Sequence, residues 1–181
     1  MRRAAFLPAF LLVLVASPAI AQFVSETQDF GVPPTTELRS GEHAAPTPLE
    51  VPGARTVGTP ELRRLMSAPP GERPLLFDVT GEDRHLSLPR TVWLPGAGQG
   101  GSFDDDIQAR LARTLAEGAG GDRARPMVFF CANARCWLSY NAALRAVRLG
   151  YTGVRWYRGG VEAWGVAGGA LVEPSLVWRH P

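Results

Sequence analysis

Four short apolar runs constrain this chain more than any other feature. They are Leu75-Leu76-Phe77-Asp78-Val79, Val92-Trp93-Leu94, Met127-Val128-Phe129-Phe130 and Val154-Arg155-Trp156-Tyr157. The first and third lack the polar alternation of a strand with one wet face, so they suit strands buried on both sides. Helical patterns separate them. Thr59-Pro60-Glu61-Leu62 starts one helix, with Thr59 as N-cap and Leu62, Leu65 and Met66 as its apolar face, and Pro69-Pro70-Gly71 ends it. A second opens at Ser102 and the three acids 104–106, which suit the positive end of the helix dipole. It carries Ile107, Leu111 and Leu115 on one face and is expected to close at Gly118. A third is predicted over 137–149, with Tyr140, Ala143, Leu144 and Val147 inward and Gly150 as its cap. A short fourth surrounds 161–164. Strands alternating with helices predict an α/β fold, a parallel sheet with helices on both faces.

The ends of the chain read differently. Met1-Arg2-Arg3 is a cationic start, residues 4–16 are almost wholly apolar, and Ala19-Ile20-Ala21 forms a small-x-small site. This is the pattern of a secretory signal peptide, and the apolar run is short for a membrane span. Residues 1–21 are therefore expected to be removed, leaving no stable membrane span and a periplasmic protein. Removal takes two arginines and leaves basic and acidic residues equal in number, so nucleic acid is not an expected partner. Residues 22–53 are rich in proline and lack a period, so they form an extension that can drape over the domain. The domain proper is placed at 54–175, with a tail at 176–181. The chain has no lysine, which excludes Schiff-base and phosphate-loop lysine chemistry.

Both cysteines fall in one loop, Cys131-Ala132-Asn133-Ala134-Arg135-Cys136-Trp137, between the most strand-like run and a helix. Sites in open parallel sheets form beyond the carboxyl ends of strands. The amides of the following helix and of a curled loop would form a nest for an anion, lowering the pKa of Cys131 below that of a free thiol. Arg135 would add positive charge. Ala132 and Ala134 keep the loop narrow. Cys136 is either a resolving thiol or half of a disulfide with Cys131, which needs Cα atoms within about 7 Å. Asp78, at a strand end, either orients the loop or caps a backbone amide. Trp137 and Trp164 read as core or pocket walls. Tryptophan after the second cysteine excludes haem attachment, and the four-residue spacing excludes a thioredoxin motif. His43, His85 and His180 are scattered, so no metal is expected.

A cysteine after a hydrophobic strand, then a tight loop and a helix, resembles the active loop of rhodanese-like domains. Leu76-Phe77-Asp78-Val79 resembles the family's early strand, and Leu94-Pro95-Gly96-Ala97 its turn. Gly150-Tyr151, Val154 and Gly159-Gly160-Val161-Glu162-Ala163-Trp164 are similar to its close. The resemblance implies a sulfurtransferase carrying a persulfide on Cys131, with Cys131, Cys136 and Arg135 catalytic. Ala132, Asn133, Ala134 and Trp137 would line the substrate loop, and Asp78, Gly159 and Gly160 would support it. It implies no cofactor, and as partners a small anionic sulfur donor or a thiol acceptor. The related phosphatases carry arginine where this chain has Trp137, so phosphatase activity is not expected. Residues 136–143, with Trp93 to Gly98 before them and Trp156-Tyr157 after, are also similar to the PQQ-dependent catabolism-associated CXXCW-motif subfamily. That resemblance implies a place beside a periplasmic quinoprotein dehydrogenase pathway. Two further readings stay open: a thiol–disulfide redox protein using the Cys131/Cys136 pair, and a non-catalytic binding module.

Overall fold

The computed structural model describes residues 26–81 and 84–176, so the expected targeting segment lies outside the described residues. In chain order the elements are β1 (Arg55–Val57), α1 (Thr59–Ser67), β2 (Leu75–Asp78), β3 (Thr91–Trp93), α2 (Asp106–Ala119), β4 (Met127–Phe130), α3 (Trp137–Arg148), β5 (Val154–Tyr157), α4 (Gly160–Val166) and β6 (Ser175–Leu176). The strands form one sheet in the order β1-β5-β4-β2-β3-β6, and every neighbouring pair is parallel. The register sets Phe77 and Trp156 on either side of Phe129.

Side chains alternate across a strand, and here both faces are apolar. Phe77, Val79, Phe129, Cys131 and Trp156 pack on one face with Leu111 and Leu115 of α2 and Tyr140 and Ala143 of α3. Leu76, Val128, Phe130 and Tyr157 pack on the other with Leu62 and Met66 of α1 and Ala163 and Trp164 of α4. Each fully buried leucine contributes about 1.5–3 kcal/mol. This two-sided burial is the reason the central strands read as continuous apolar runs.

Helix ends differ in detail from the sequence reading. Thr59 is the first helical residue and not the cap; the cap is Gly58, which has no side chain to give. The Glu26 carboxylate takes its place, accepting from the Thr59 amide at 3.2 Å and the Thr59 hydroxyl at 2.7 Å. α2 starts on Asp105, whose Oδ1 accepts the Gln108 amide at 2.8 Å. It runs past Gly118 to end at Gly120, which supplies the left-handed φ of 59°.

Residues 26–54 lie across the domain as a strap. Tyr140 Oη accepts the Thr35 amide and donates to the Thr35 carbonyl, both at 2.8 Å. Asn141 Oδ1 accepts the Arg39 amide at 3.0 Å, and its Nδ2 donates to the carbonyls of Arg39 and Gly98. Arg158, directly after β5, is 1% exposed. It donates to Thr47 Oγ1 at 3.0 Å, the Thr47 carbonyl at 3.1 Å and the Glu26 carbonyl at 2.8 Å, with Phe30 stacked on it.

Candidate functional site

β4 ends at Phe130, so Cys131 emerges at the carboxyl edge of the sheet between two neighbouring strands. The residues after it cannot continue straight because Asn133 curls the chain. Asn133 Oδ1 accepts the Arg135 amide at 3.0 Å, and the Asn133 carbonyl accepts the Cys136 amide at 3.2 Å. This turn returns the chain to within 6.4 Å of its start, measured between the Cα atoms of Cys131 and Cys136, and the two are joined in a disulfide. Cys136 is the N-cap of α3 and brings no capping oxygen.

The Gly159-Gly160 turn presses the start of α4 against this loop. The Val161 amide donates to the Cys131 carbonyl and the Glu162 amide to the Ala132 carbonyl, each at 3.0 Å. Gly160 has a φ of 62°, and a Cβ on it would collide with the carbonyl oxygens of Cys131 and Ala132. Gly159 and Gly160 thus support the loop through its backbone.

The sulfur of Cys131 is enclosed. The residue is 1% exposed, whereas Cys136 is half-buried. Ser139 Oγ lies 3.3 Å from Cys131 Sγ and 3.2 Å from the Cys136 carbonyl. That hydroxyl accepts the Trp156 indole N–H at 2.9 Å, which leaves its own proton to aim at one of those two neighbours. Neither Ser139 nor Trp156 was a candidate from the sequence. A serine in the first turn of a helix reads as an ordinary terminus residue, and only the fold brings an indole from β5 to it.

The strap covers the loop from outside. Ala44 and Cys136 form an antiparallel bridge, and the Trp137 amide donates to the His43 carbonyl at 2.9 Å. Trp137 Nε1 donates to the Pro46 carbonyl at 2.9 Å, and Thr47 Oγ1 to the Ala134 carbonyl at 2.8 Å. The Arg39 guanidinium sits 4.9 Å from the Trp137 ring centroid. Trp137 is a buried wall under this cover, tilted against Tyr140.

Two sequence expectations need correction. Part of the expected nest is used elsewhere: the amides of Arg135, Cys136 and Trp137 donate to Asn133 Oδ1, the Asn133 carbonyl and the His43 carbonyl. The turn and the strap use them first. The Arg135 side chain, expected to add positive charge, is exposed at the turn. Of the two readings of Asp78, support for the loop fails, because it alternates with Phe77 and Val79 and so faces away from Cys131, and capping of a backbone amide holds. Its Oδ1 accepts the Thr80 amide at 2.8 Å, and its Oδ2 meets His85 Nε2 at 2.8 Å and the Ser87 hydroxyl at 2.5 Å.

Against known proteins, the family model of the rhodanese-like domain matches residues 58–167. No curated protein matches the chain. Among solved structures it is similar to thiosulfate sulfurtransferase from Pseudomonas aeruginosa, with 20% identity and a TM-score of 0.51, over 71% of this chain and 22% of that one. The chain therefore spans about a fifth of that protein's length. It is also similar to a yeast protein tyrosine phosphatase of the rhodanese family, with 20% identity and a TM-score of 0.44, over 64% of this chain and 86% of that one.

Proposed function

The chain belongs to the rhodanese-like domain family, and from that premise we propose that it is an exported sulfur-handling protein whose Cys131/Cys136 pair cycles between dithiol and disulfide. Cys131 is the atom that accepts sulfur. One observation carries the reading: the two cysteines of the chain are joined across its active loop.

The cycle starts with a thiol reductant. Its thiolate attacks Cys136 Sγ, the half-buried sulfur, the disulfide bond breaks, and Cys131 leaves as a thiolate. A second thiol of the reductant frees Cys136 and becomes a disulfide itself. The Ser139 hydroxyl, with its oxygen engaged by Trp156, turns its proton to the buried thiolate. Release of Cys136 opens the cover over the enclosed Cys131 sulfur, and its thiolate then attacks the outer sulfur of thiosulfate. The bond between the two sulfurs of the donor breaks, sulfite departs with the electron pair, and a persulfide remains on Cys131. Cys136 attacks the inner sulfur of that persulfide, the disulfide re-forms, and hydrosulfide leaves. Two electrons from the reductant have reduced one sulfane sulfur. Where another thiol acceptor takes the outer sulfur first, the same intermediate gives sulfurtransferase activity.

A simpler reading drops the sulfur donor and keeps only thiol–disulfide exchange. The engaged amides of Arg135, Cys136 and Trp137 favour it, because they are withdrawn from any anion beside the sulfur in the disulfide form. The targeting pattern at 1–21 supports a periplasmic location. The similarity of residues 136–143 to the CXXCW-motif subfamily supports a role in PQQ-dependent alcohol catabolism, with a quinoprotein dehydrogenase pathway as partner.

Mass spectrometry of the reduced protein after thiosulfate or a persulfide donor tests the proposal. The wild type releases sulfide, Cys136→Ser retains a gain of about 32 Da, and Cys131→Ser gains nothing. Absence of both sulfide and adduct with every donor removes sulfur transfer. If thiol titration still counts a reversible dithiol, the exchange reading stands. If Cys131→Ser preserves growth on alcohols, the non-catalytic module gains and both others lose.

A further inference from the structure

The opposite edge of the sheet carries a second constellation, which the cysteine chemistry does not use. Arg73 lies just before β2, Arg90 just before β3 and Arg125 just before β4. These strands are neighbours, in the order β4-β2-β3, and all run the same way. Three arginines therefore gather at the amino edge, about four residues' rise, roughly 13 Å, from the edge that bears the disulfide. They line one cavity of about 300 Å³, together with the apolar side chains of Met66, Leu75 and Leu76.

The guanidinium groups are held in place but not neutralised. Arg73 Nε donates to the Ala68 carbonyl at 2.6 Å, and Arg90 Nη2 to the Met66 carbonyl at 2.9 Å. Arg125 donates to the carbonyls of Gly71 at 2.6 Å and Arg73 at 3.2 Å. Each side chain keeps further N–H groups beyond these bonds, since a guanidinium has five. Among the described residues none of the three forms an ion pair, and Glu72, in the adjoining turn, pairs with none of them. Three like charges gathered around one cavity repel each other, and a bound anion would relieve this.

The backbone gives a separate sign. Arg90 has a φ of 65°, the left-handed value that residues with a side chain rarely adopt, and it is the one non-glycine among the described residues to do so. Glycine would occupy that position without strain. In the Pro89-Arg90 turn before β3 the chain keeps arginine instead, with its guanidinium at the cavity, and strained residues are found clustered at ligand sites.

We propose that this cavity is a binding site for a small organic dicarboxylate with an apolar body. The planar fork of arginine matches a carboxylate in two parallel hydrogen bonds. Three cations favour two negative charges over one. The floor of Met66, Leu75 and Leu76 favours hydrocarbon, as is usual for small-molecule sites, and the volume is at the lower end of their range. Binding here is independent of the disulfide on the far edge.

Isothermal titration of the full chain with phthalate tests this, with dimethyl phthalate and inorganic phosphate as comparisons. Phthalate binds at least tenfold more tightly than phosphate, and the uncharged diester does not bind. Arg90→Gly weakens phthalate at least tenfold while its melting temperature stays at or above that of the wild type, because glycine relaxes the left-handed position. Arg125→Gln weakens phthalate similarly. The proposal is overturned if phthalate shows no binding at millimolar concentration, or if folded Arg90→Gly binds it like the wild type. Phosphate binding as tightly as phthalate would also overturn it, since the apolar floor would then have no part.

Discussion

Reduction of the Cys131–Cys136 bond gives a quantitative test of how this loop is held. The two residues are five positions apart, so the disulfide closes a very short ring. By the chain-entropy argument, opening a ring of that size releases about 2 kcal/mol of unfolded-state freedom. The native loop has other supports that reduction leaves in place. The Asn133 turn, the α4 amides on the Cys131 and Ala132 carbonyls, and the Thr47 contact to Ala134 do not involve sulfur. The loss should therefore stay near the entropic figure and not grow into a collapse of the site. For a folded body of this size, 1 kcal/mol moves the melting temperature by about 2–4 °C, so reduction should lower it by about 4–8 °C. Thermal melts at neutral pH with and without a phosphine reductant read this, with thiols counted in the same samples. A Cys131→Ala/Cys136→Ala double variant should melt at one temperature in both conditions. Two counted thiols with an unchanged melt would refute the reasoning. So would a fall twice the expected size, which would mean that the disulfide holds the strap or α3 in place.

Three more outcomes follow from the geometry. In reduced protein, Ser139→Ala removes the hydroxyl beside Cys131 Sγ, so the pH profile of Cys131 alkylation should move to higher pH, while a profile that stays put or moves down would deny Ser139 its role. Gly160→Ala places a Cβ against the Cys131 and Ala132 carbonyls at a left-handed φ; it should cost more than about 2 kcal/mol, seen as a lower urea midpoint, with faster amide exchange in the loop. Burial raises the Asp105 carboxyl, but hydrogen bonds from Arg145, Gln108 and Ser102 and the charge of Arg145 outweigh it and hold the carboxyl below 3.8. A depressed folded value contributes stability above the unfolded pKa and loses it as pH falls through the folded one. Urea midpoints should thus show an acid-side decline below about pH 4 that is shallower in Asp105→Asn, and identical acid limbs would contradict this.

Much of this fold was legible because the informative signals are local. β2, β4 and β5 are buried on both faces, and two-sided burial writes an apolar run into the chain. β1 and β6 went unread. They are edge strands of three and two residues, Arg55-Thr56-Val57 and Ser175-Leu176, and their strand character comes from pairing with β5 and β3. The cysteine loop was legible for a similar reason, since both cysteines and the turn-forming Asn133 lie within a few residues of each other. Of the amides expected in the anion nest, those of Arg135 and Cys136 are taken by Asn133 close by in the chain, and that of Trp137 by a distant competitor. Nothing near Trp137 in the chain shows that the His43 carbonyl will take its amide, or that Thr47 will be fastened by Arg158.

The amino-acid sequence by itself determined the alternation of strands and helices, the parallel sheet, and the placing of two cysteines at the carboxyl end of a central strand. Periodicity and covalent neighbourhood act over one or two turns of chain, and these features need nothing more. Tertiary structure decided which face each side chain took and which groups met across the fold. It sent Asp78 to the side away from Cys131, laid the strap over the loop, brought Trp156 to Ser139, and gathered Arg73, Arg90 and Arg125 at one edge. Those outcomes depend on hydrogen-bond partners and charges brought together from distant parts of the chain, where no local pattern records them.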